Sequence, residues 1–235
     1  MARHILSRGT ALGAAAAIAA GAAGAQAAGA LRGSPAAVRV AQRVLAHARQ
    51  IEALRWRQRG DQWECPSQDG PIVGPAVKRP GSDCRRAIVT LDENLRNGVI
   101  VRSLATTTAN GIPAHTELVT AAGDWTRTGH ARCWDAAVAD LRPIPAFSYT
   151  GEKLSIAAET PSVISLRGVT RGFREIDAID AGTFAIREID ERVPSFGGTA
   201  QLVATFTEMA RPFALPAHPG HICSDIVRFP PQRAR

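Results

Sequence analysis

Near the C-terminus the run HPGHIC places His218, His221 and Cys223 within six residues, a set that could ligate a metal. An H-x-x-H pair binds zinc when a helix sets both imidazoles on one face, normally with a glutamate as H-E-x-x-H. Here Pro219 and Gly220 stand where that helix would pass, and no glutamate lies between the histidines. A Cys223 committed to a disulfide also offers no thiolate. The expectation is therefore no metal and no resident cofactor. His115 and His130 fall on strand-like or turn positions without a carboxylate at a fixed spacing, and the chain lacks a G-x-S-x-G elbow. A binder without catalysis is expected, and a secreted hydrolase with a Ser-His-Asp set assembled from distant residues is the alternative.

Two further groups could do chemistry. Glu175, Asp177, Asp180, Glu188, Asp190 and Glu191 crowd a short stretch. A calcium loop would need D-x-D-x-D spacing with glycine, which is absent, so these acids read as a solvated band. Trp56, Trp63, Trp125 and Trp134 all lie in the first β-rich half. Exposed, they would suit a carbohydrate or a membrane interface. Packing is the favoured reading, because Trp63 neighbours Cys65 and Trp134 neighbours Cys133.

These side chains need elements to hold them. Ser34-Pro35 is a helix start, with a capping hydroxyl followed by a residue whose missing N–H costs nothing there. Ala37, Val40, Ala41, Val44, Leu45, Ala48 and Ile51 then recur at three- and four-residue steps, which predicts one amphipathic helix of about five turns over 35–53. Beyond Leu54 the period shortens. LRWRQR, QWEC, RAIVTL, GVIVRSLATTT, PAHTELVTA, WTRT, ARCW, KLSIAAE, SVISLRGV, FREIDAI, TFAIREID, AQLVATFT and PFALP are strand-like, with turn signals at Gly60-Asp61, Asn110-Gly111 and Gly123-Asp124. AAVADLRPIPAF, residues 136–147, reads as a short helix or turn between two halves. The fold class expected is mainly β with one long N-terminal helix, a curved antiparallel sheet of about ten strands packed on the helix.

The chain opens with Arg3 and Arg8 before a long Ala/Gly-rich run that holds no acidic residue. This pattern predicts a signal peptide over 1–27, cleaved after Ala27 or, as the second choice, Ala30. It is too poor in Leu and Ile for a stable transmembrane anchor, and no cysteine follows it to carry a lipid. Losing Arg3 and Arg8 takes 28 basic residues to 26 against 21 acidic, a formal charge of +5. The basic residues are scattered, without the concentrated footprint of a nucleic-acid binder. A weak attraction to anionic membrane or envelope polymers fits this balance, and a merely solvated surface fits it equally. Four cysteines in an exported chain read as two disulfides. Three pairings exist, and those expected are Cys65 with Cys84 and Cys133 with Cys223. The mature domain is taken as 28–228, with a disordered tail over 229–235.

Helix followed by meander, after an export signal, resembles the LolA-like superfamily. TFAIREIDERVP (183–194) is similar to its strand ending in an acidic turn before proline, and VATFTEMARPFALPAHP (203–219) is similar to its closing strand pair. GDWTRTGHARCW (123–134) is similar to its Trp-bearing hairpin. The resemblance implies a half-barrel whose concave face, plugged by helices, takes acyl chains, and so a hydrophobic ligand and no catalysis. The family's lipid-anchor cysteine is missing here, and two disulfides are added. Side chains sharing a face with the helix stripe would line such a cavity: Val40, Val44 and Ile51 from the helix, Val99 and Val101, Phe184 and Ile186, and Leu202, Ala204 and Phe206 from strands. The alternative is that these residues fill a solid core. An envelope-sensing module of the same fold, acting through an envelope protein partner, is the other functional alternative.

Overall fold

The computed structural model describes residues 31–65, 72–74, 84–129, 131–138, 144–170, 173–195 and 198–223. The expected signal peptide (1–27), the tail (229–235) and most of the loop between Cys65 and Cys84 lie outside them.

The one helix among the described residues, α1 (Pro35–Ala48), starts where the Ser34 hydroxyl accepts from the Ala37 N–H at 3.3 Å. It buries Ala37, Ala41, Val44 and Ala48, a stripe of small side chains that lets its axis come close to a sheet. The helix is a turn shorter than the spacing predicts. It caps at Arg49, and Ile51 is buried beyond the cap because the chain must already be turning into the next strand.

Fifteen strands follow one another or flank the helix: β1 (Arg32–Gly33), β2 (Ala53–Gly60), β3 (Gln62–Glu64), β4 (Ile72–Val73), β5 (Arg85–Arg96), β6 (Val99–Ala109), β7 (Ile112–Thr120), β8 (Gly123–Thr128), β9 (Asp135–Val138), β10 (Ile144–Pro145), β11 (Lys153–Glu159), β12 (Val163–Thr170), β13 (Phe173–Asp180), β14 (Ile186–Ser195) and β15 (Gly198–Met209). Twelve form one open, curved path, β1-β11-β12-β13-β14-β15-β2-β5-β6-β7-β8-β9. Every pairing along it is antiparallel except β1 with β11. The mainly β class with a helix holds. The count exceeds ten because several expected connections are themselves strand.

DENLR, expected as a connection, continues β5 as far as Arg96. The turn comes at Asn97-Gly98, both with positive φ (53° and 74°), as they are at Asn110-Gly111 (51° and 77°). Such pairs match the twist of a two-residue hairpin. Gly60-Asp61 is not a hairpin. β2 and β3 both pair with β5, so these two residues only interrupt one long strand. PFALP is not a strand either. After β15 the chain leaves the sheet, and Pro212, Pro216 and Pro219 lack the N–H groups that a further strand would need. Residues 136–147 hold β9 and β10 and no described helix.

Successive strand residues face opposite ways, so the register divides the sheet into two faces. On one face α1 packs with Leu54, Leu95, Leu154, Ile164, Leu166, Ile179, Ile186 and Ile189 in the largest core cluster. On the other face Leu118, Trp125 and Trp134 form a separate cluster.

Candidate functional site

The helix-side face is built in three zones. Between α1 and the sheet lies a cluster that includes Val44 of the helix, Ile51 just beyond it and Ile186, with Val40 and Phe184 at its margin. Phe184 is in the left-handed region (φ 64°), costly for a bulky residue, and the turn around it is fixed by Asp180. That carboxylate accepts from the N–H groups of Gly182 and Thr183 and from the Thr183 hydroxyl, and it pairs with Arg187. The Thr183 N–H, then its hydroxyl, hold Asp180 well below the usual carboxylate range, at about 2.

The second zone lies further across the sheet. Trp56, Leu91, Ala105 and Ala204 form an apolar cluster that includes no residue of α1. Phe206 packs against both this cluster and the helix cluster, 6.3 Å from Trp56 and 5.7 Å from Phe147 between ring centroids. Ala105 and Ala204 put small side chains beside the indole.

The third zone is acidic and buried. Asp177 is 1%, Glu191 2%, Glu152 3% and Glu175 6% exposed. Glu175 lies directly opposite Glu191 across β13 and β14, and Asp177 lies opposite Ile189. Tyr149 donates its hydroxyl to Asp177 Oδ2 at 2.6 Å, and the Glu152 carboxylate lies over Gly168, where a side chain would collide with it. The expected solvated band is therefore split by strand alternation. Glu175, Asp177 and Glu191 point to the helix side, while Asp180, Glu188 and Asp190 are only half-buried. Leu202 belongs to this end, packed with Val193 and Ala200.

Of the ten side chains expected to line a cavity, the structure brings five to the helix cluster, Ala204 and Phe206 to the Trp56 cluster, and Leu202 to the far end. Val99 and Val101 depart from the expectation. Val101 is 44% exposed, because β6 bulges against β5: Asn94 pairs with Arg102 and Leu95 with Ile100, which leaves Val101 as the extra residue. Ile100 takes the place facing the helix. No period count could have found that shift. The Trp56 cluster was missed for a different reason. Trp56, Leu91 and Ala105 each alternate correctly on their strands, but only the order of strands in the sheet brings them together.

The other face resolves the HPGHIC run. Asn94 exchanges two hydrogen bonds with the Phe213 backbone (2.9 and 2.7 Å), and Arg102 donates to the Leu215 carbonyl at 2.9 Å. Trp134 donates its N–H to the His221 carbonyl and accepts from the Cys223 N–H, at 2.8 and 2.9 Å. Residues 210–223 are thus a strap, closed by Cys133–Cys223 with Cα atoms 5.0 Å apart; Cys65–Cys84 is the other bridge, at 4.1 Å. Both expected pairings are present. His218 and His221 are exposed on the strap, His115 is buried on β7, and His130 lies outside the described residues. No group of three or more metal-ligating side chains occurs among the described residues. All four tryptophans are buried, which removes the reading of exposed tryptophan contacts. Trp63 donates to the Gly74 carbonyl, and Arg127 lies over Trp134.

A single amphipathic helix on one face of a large, open, curved antiparallel sheet defines the class of architecture, and the apolar clusters on that face are its candidate binding surface. No protein-family model matches the chain, and no curated protein matches it by sequence. Solved structures do align with it. They include the lipoprotein LppX of Mycobacterium tuberculosis, at 10% identity over 74% of this chain and 94% of that one (TM-score 0.44). A chain of the Pseudomonas aeruginosa MucA/MucB complex aligns at 12% identity over 81% and 59% (TM-score 0.37). A LolA superfamily protein of Nitrosomonas europaea aligns at 12% identity over 75% of this chain and 94% of that one (TM-score 0.30).

Proposed function

We propose that this chain is an exported cell-envelope protein that holds a hydrophobic ligand, an acyl lipid or the acyl chains of a lipoprotein, against the helix-side face. The observation that carries this reading is the second apolar cluster. Trp56, Leu91, Ala105 and Ala204, all buried, form it without any residue of α1 and continue the helix core through Phe206. The acidic zone bounds the hydrocarbon site, since polar carboxyl groups are poor neighbours for an alkyl chain. Export is supported by the two disulfides, which persist in oxidising compartments. The same reading makes the protein a binder and not an enzyme, with His115 placed on a strand and His218 and His221 on the strap.

Native mass spectrometry of protein purified from an envelope extract tests the reading, together with Ala204→Phe. Co-purifying lipid and uptake of a fluorescent fatty acid are expected, with uptake lost in the variant at little cost in stability. In a filled core the added ring would instead cost about 1–3 kcal/mol. A lipid-free protein that takes up no fatty acid and loses stability on that substitution would sink the proposal.

A further inference from the structure

The solvent face of α1 carries charge of one sign. Arg39, Arg43 and Arg49 are exposed, and no acidic residue occurs anywhere from Leu31 to Ile51. Arg39 and Arg43 are four apart, a like-charge pair that costs an isolated helix a few tenths of a kcal/mol. Arg32, just before the helix, lies directly opposite Lys153 on β11, a second juxtaposition of like charge. The nearest acids are largely engaged: Glu208 with His47 at 2.6 Å, and Asp180 with Arg187 and its own turn. Glu52 and Glu159, both exposed, flank the patch.

We infer that this face of α1 docks on an anionic lipid bilayer. The geometry selects that occupant. Arg39 to Arg49 spans about 15 Å along the axis, and at 3.6 residues per turn Arg43 and the C-cap Arg49 stand about 120° apart around it. Charges so spread do not converge on one phosphate, but they match a surface whose charge is spread in two dimensions. Besides the arginines, the exposed positions of α1 are only Pro35, Ala36, Gln42 and Ala46, so the helix adsorbs without inserting, and the attraction is screened by salt. Arg43 lies over the Phe184 ring at 4.9 Å, which sets the docked face at the edge of the apolar helix cluster. The inference rests on the proposed function in that it names the surface from which the ligand would be drawn.

Co-sedimentation of the purified protein tests it, using phosphatidylcholine vesicles with and without phosphatidylglycerol at low and high salt. Binding is expected only with phosphatidylglycerol and only at low salt. Reversing Arg39, Arg43 and Arg49 to glutamate should weaken it on the order of a hundredfold or more, since each neutralised arginine alone is worth roughly fivefold. The triple lysine variant should bind within about twofold of the parent, because a bilayer reads charge and not guanidinium geometry. A glutamine triple, with an unchanged melting curve, replaces the reversal if that variant misfolds. Binding that survives high salt, that is lost in the lysine variant, or that disappears when Arg57, Arg59 and Arg174 are reversed instead would overturn the inference. So would no binding at all. Lipid occupancy is read separately, so a lipid-loaded protein that ignores vesicles sinks the docking and leaves the proposed function standing.

Discussion

The two halves of this sheet are covered on opposite faces by opposite means. Over β11–β15 the cover is α1, which meets its own hydrogen-bonding needs and contributes a periodic stripe of alanines and a valine. Over β5–β9 the cover is the strap, which has no internal ladder. It borrows donors and acceptors from Asn94, Arg102 and Trp134 and is locked covalently at Cys223. A helix can be docked by burial alone. An irregular, proline-bearing segment lacks that economy, since each backbone group it covers must find a partner outside itself.

The largest expected effect follows from that contrast. Cys133→Ser with Cys223→Ser opens a loop of sequence separation 90, worth about 4–5 kcal/mol on the chain-entropy model, against about 3 kcal/mol for Cys65 and Cys84 at separation 19. Urea denaturation should show this ranking. Hydrogen exchange should show the loss first at Trp125 and Trp134, with α1 still protected. Equal losses at both bridges, or a helix that exchanges as fast as the strap, would mean that the two covers are not independent.

Asn94→Ala sharpens the same contrast at a smaller scale. It removes both bonds to Phe213 and leaves that N–H and C=O to find water, a cost of about 1–3 kcal/mol. The strap is tied down twice, so the effect should grow when the Cys133–Cys223 bridge is also absent. A double variant that is merely additive would separate the two anchors.

The same contrast governs what could be read in advance. The helix was legible because its cap, proline and apolar period all agree. The hairpin at Asn110-Gly111 was legible because only a few residues tolerate two successive positive φ values. The disulfide pairs followed from export and loop enclosure. The strap was misread as a closing strand, because ALP and FALP look apolar and extended while the prolines that forbid a ladder look like ordinary strand ends. The buried acids were misread because Glu175, Asp177 and Glu191 are polar by type, yet they sit on the same alternation as Ile179, Ile189 and Val193. Their burial depends on neighbours from other strands. Strand order, bulges and covering segments are set by long-range packing, and no local pattern records them.

The smallest expected effect tests whether the helix half has a fixed contact of its own that the strap does not share. Asp180 holds the turn that places Phe184 under Arg43, and hydrogen bonds from Thr183 draw its carboxyl down to about 2 from 3.8. Its ionised form is thus favoured more in the folded than in the unfolded chain. The stability it contributes is fully present above about 4 and is lost as the pH falls towards 2. In a carboxyl-resolved NMR titration Asp180 should show a midpoint near 2. Over the same window the amide signals of Gly182 and Thr183 should shift, while those of Trp134 and Cys223 stay still. Asp180→Asn should abolish that acid-limb dependence and lower the melting temperature slightly at neutral pH, where the charge otherwise contributes, because the amide oxygen still accepts from the same two N–H groups but cannot pair with Arg187. A strap that responds to this titration as strongly as the turn would show that the two halves are coupled through the sheet, and that the separate covers describe one cooperative unit.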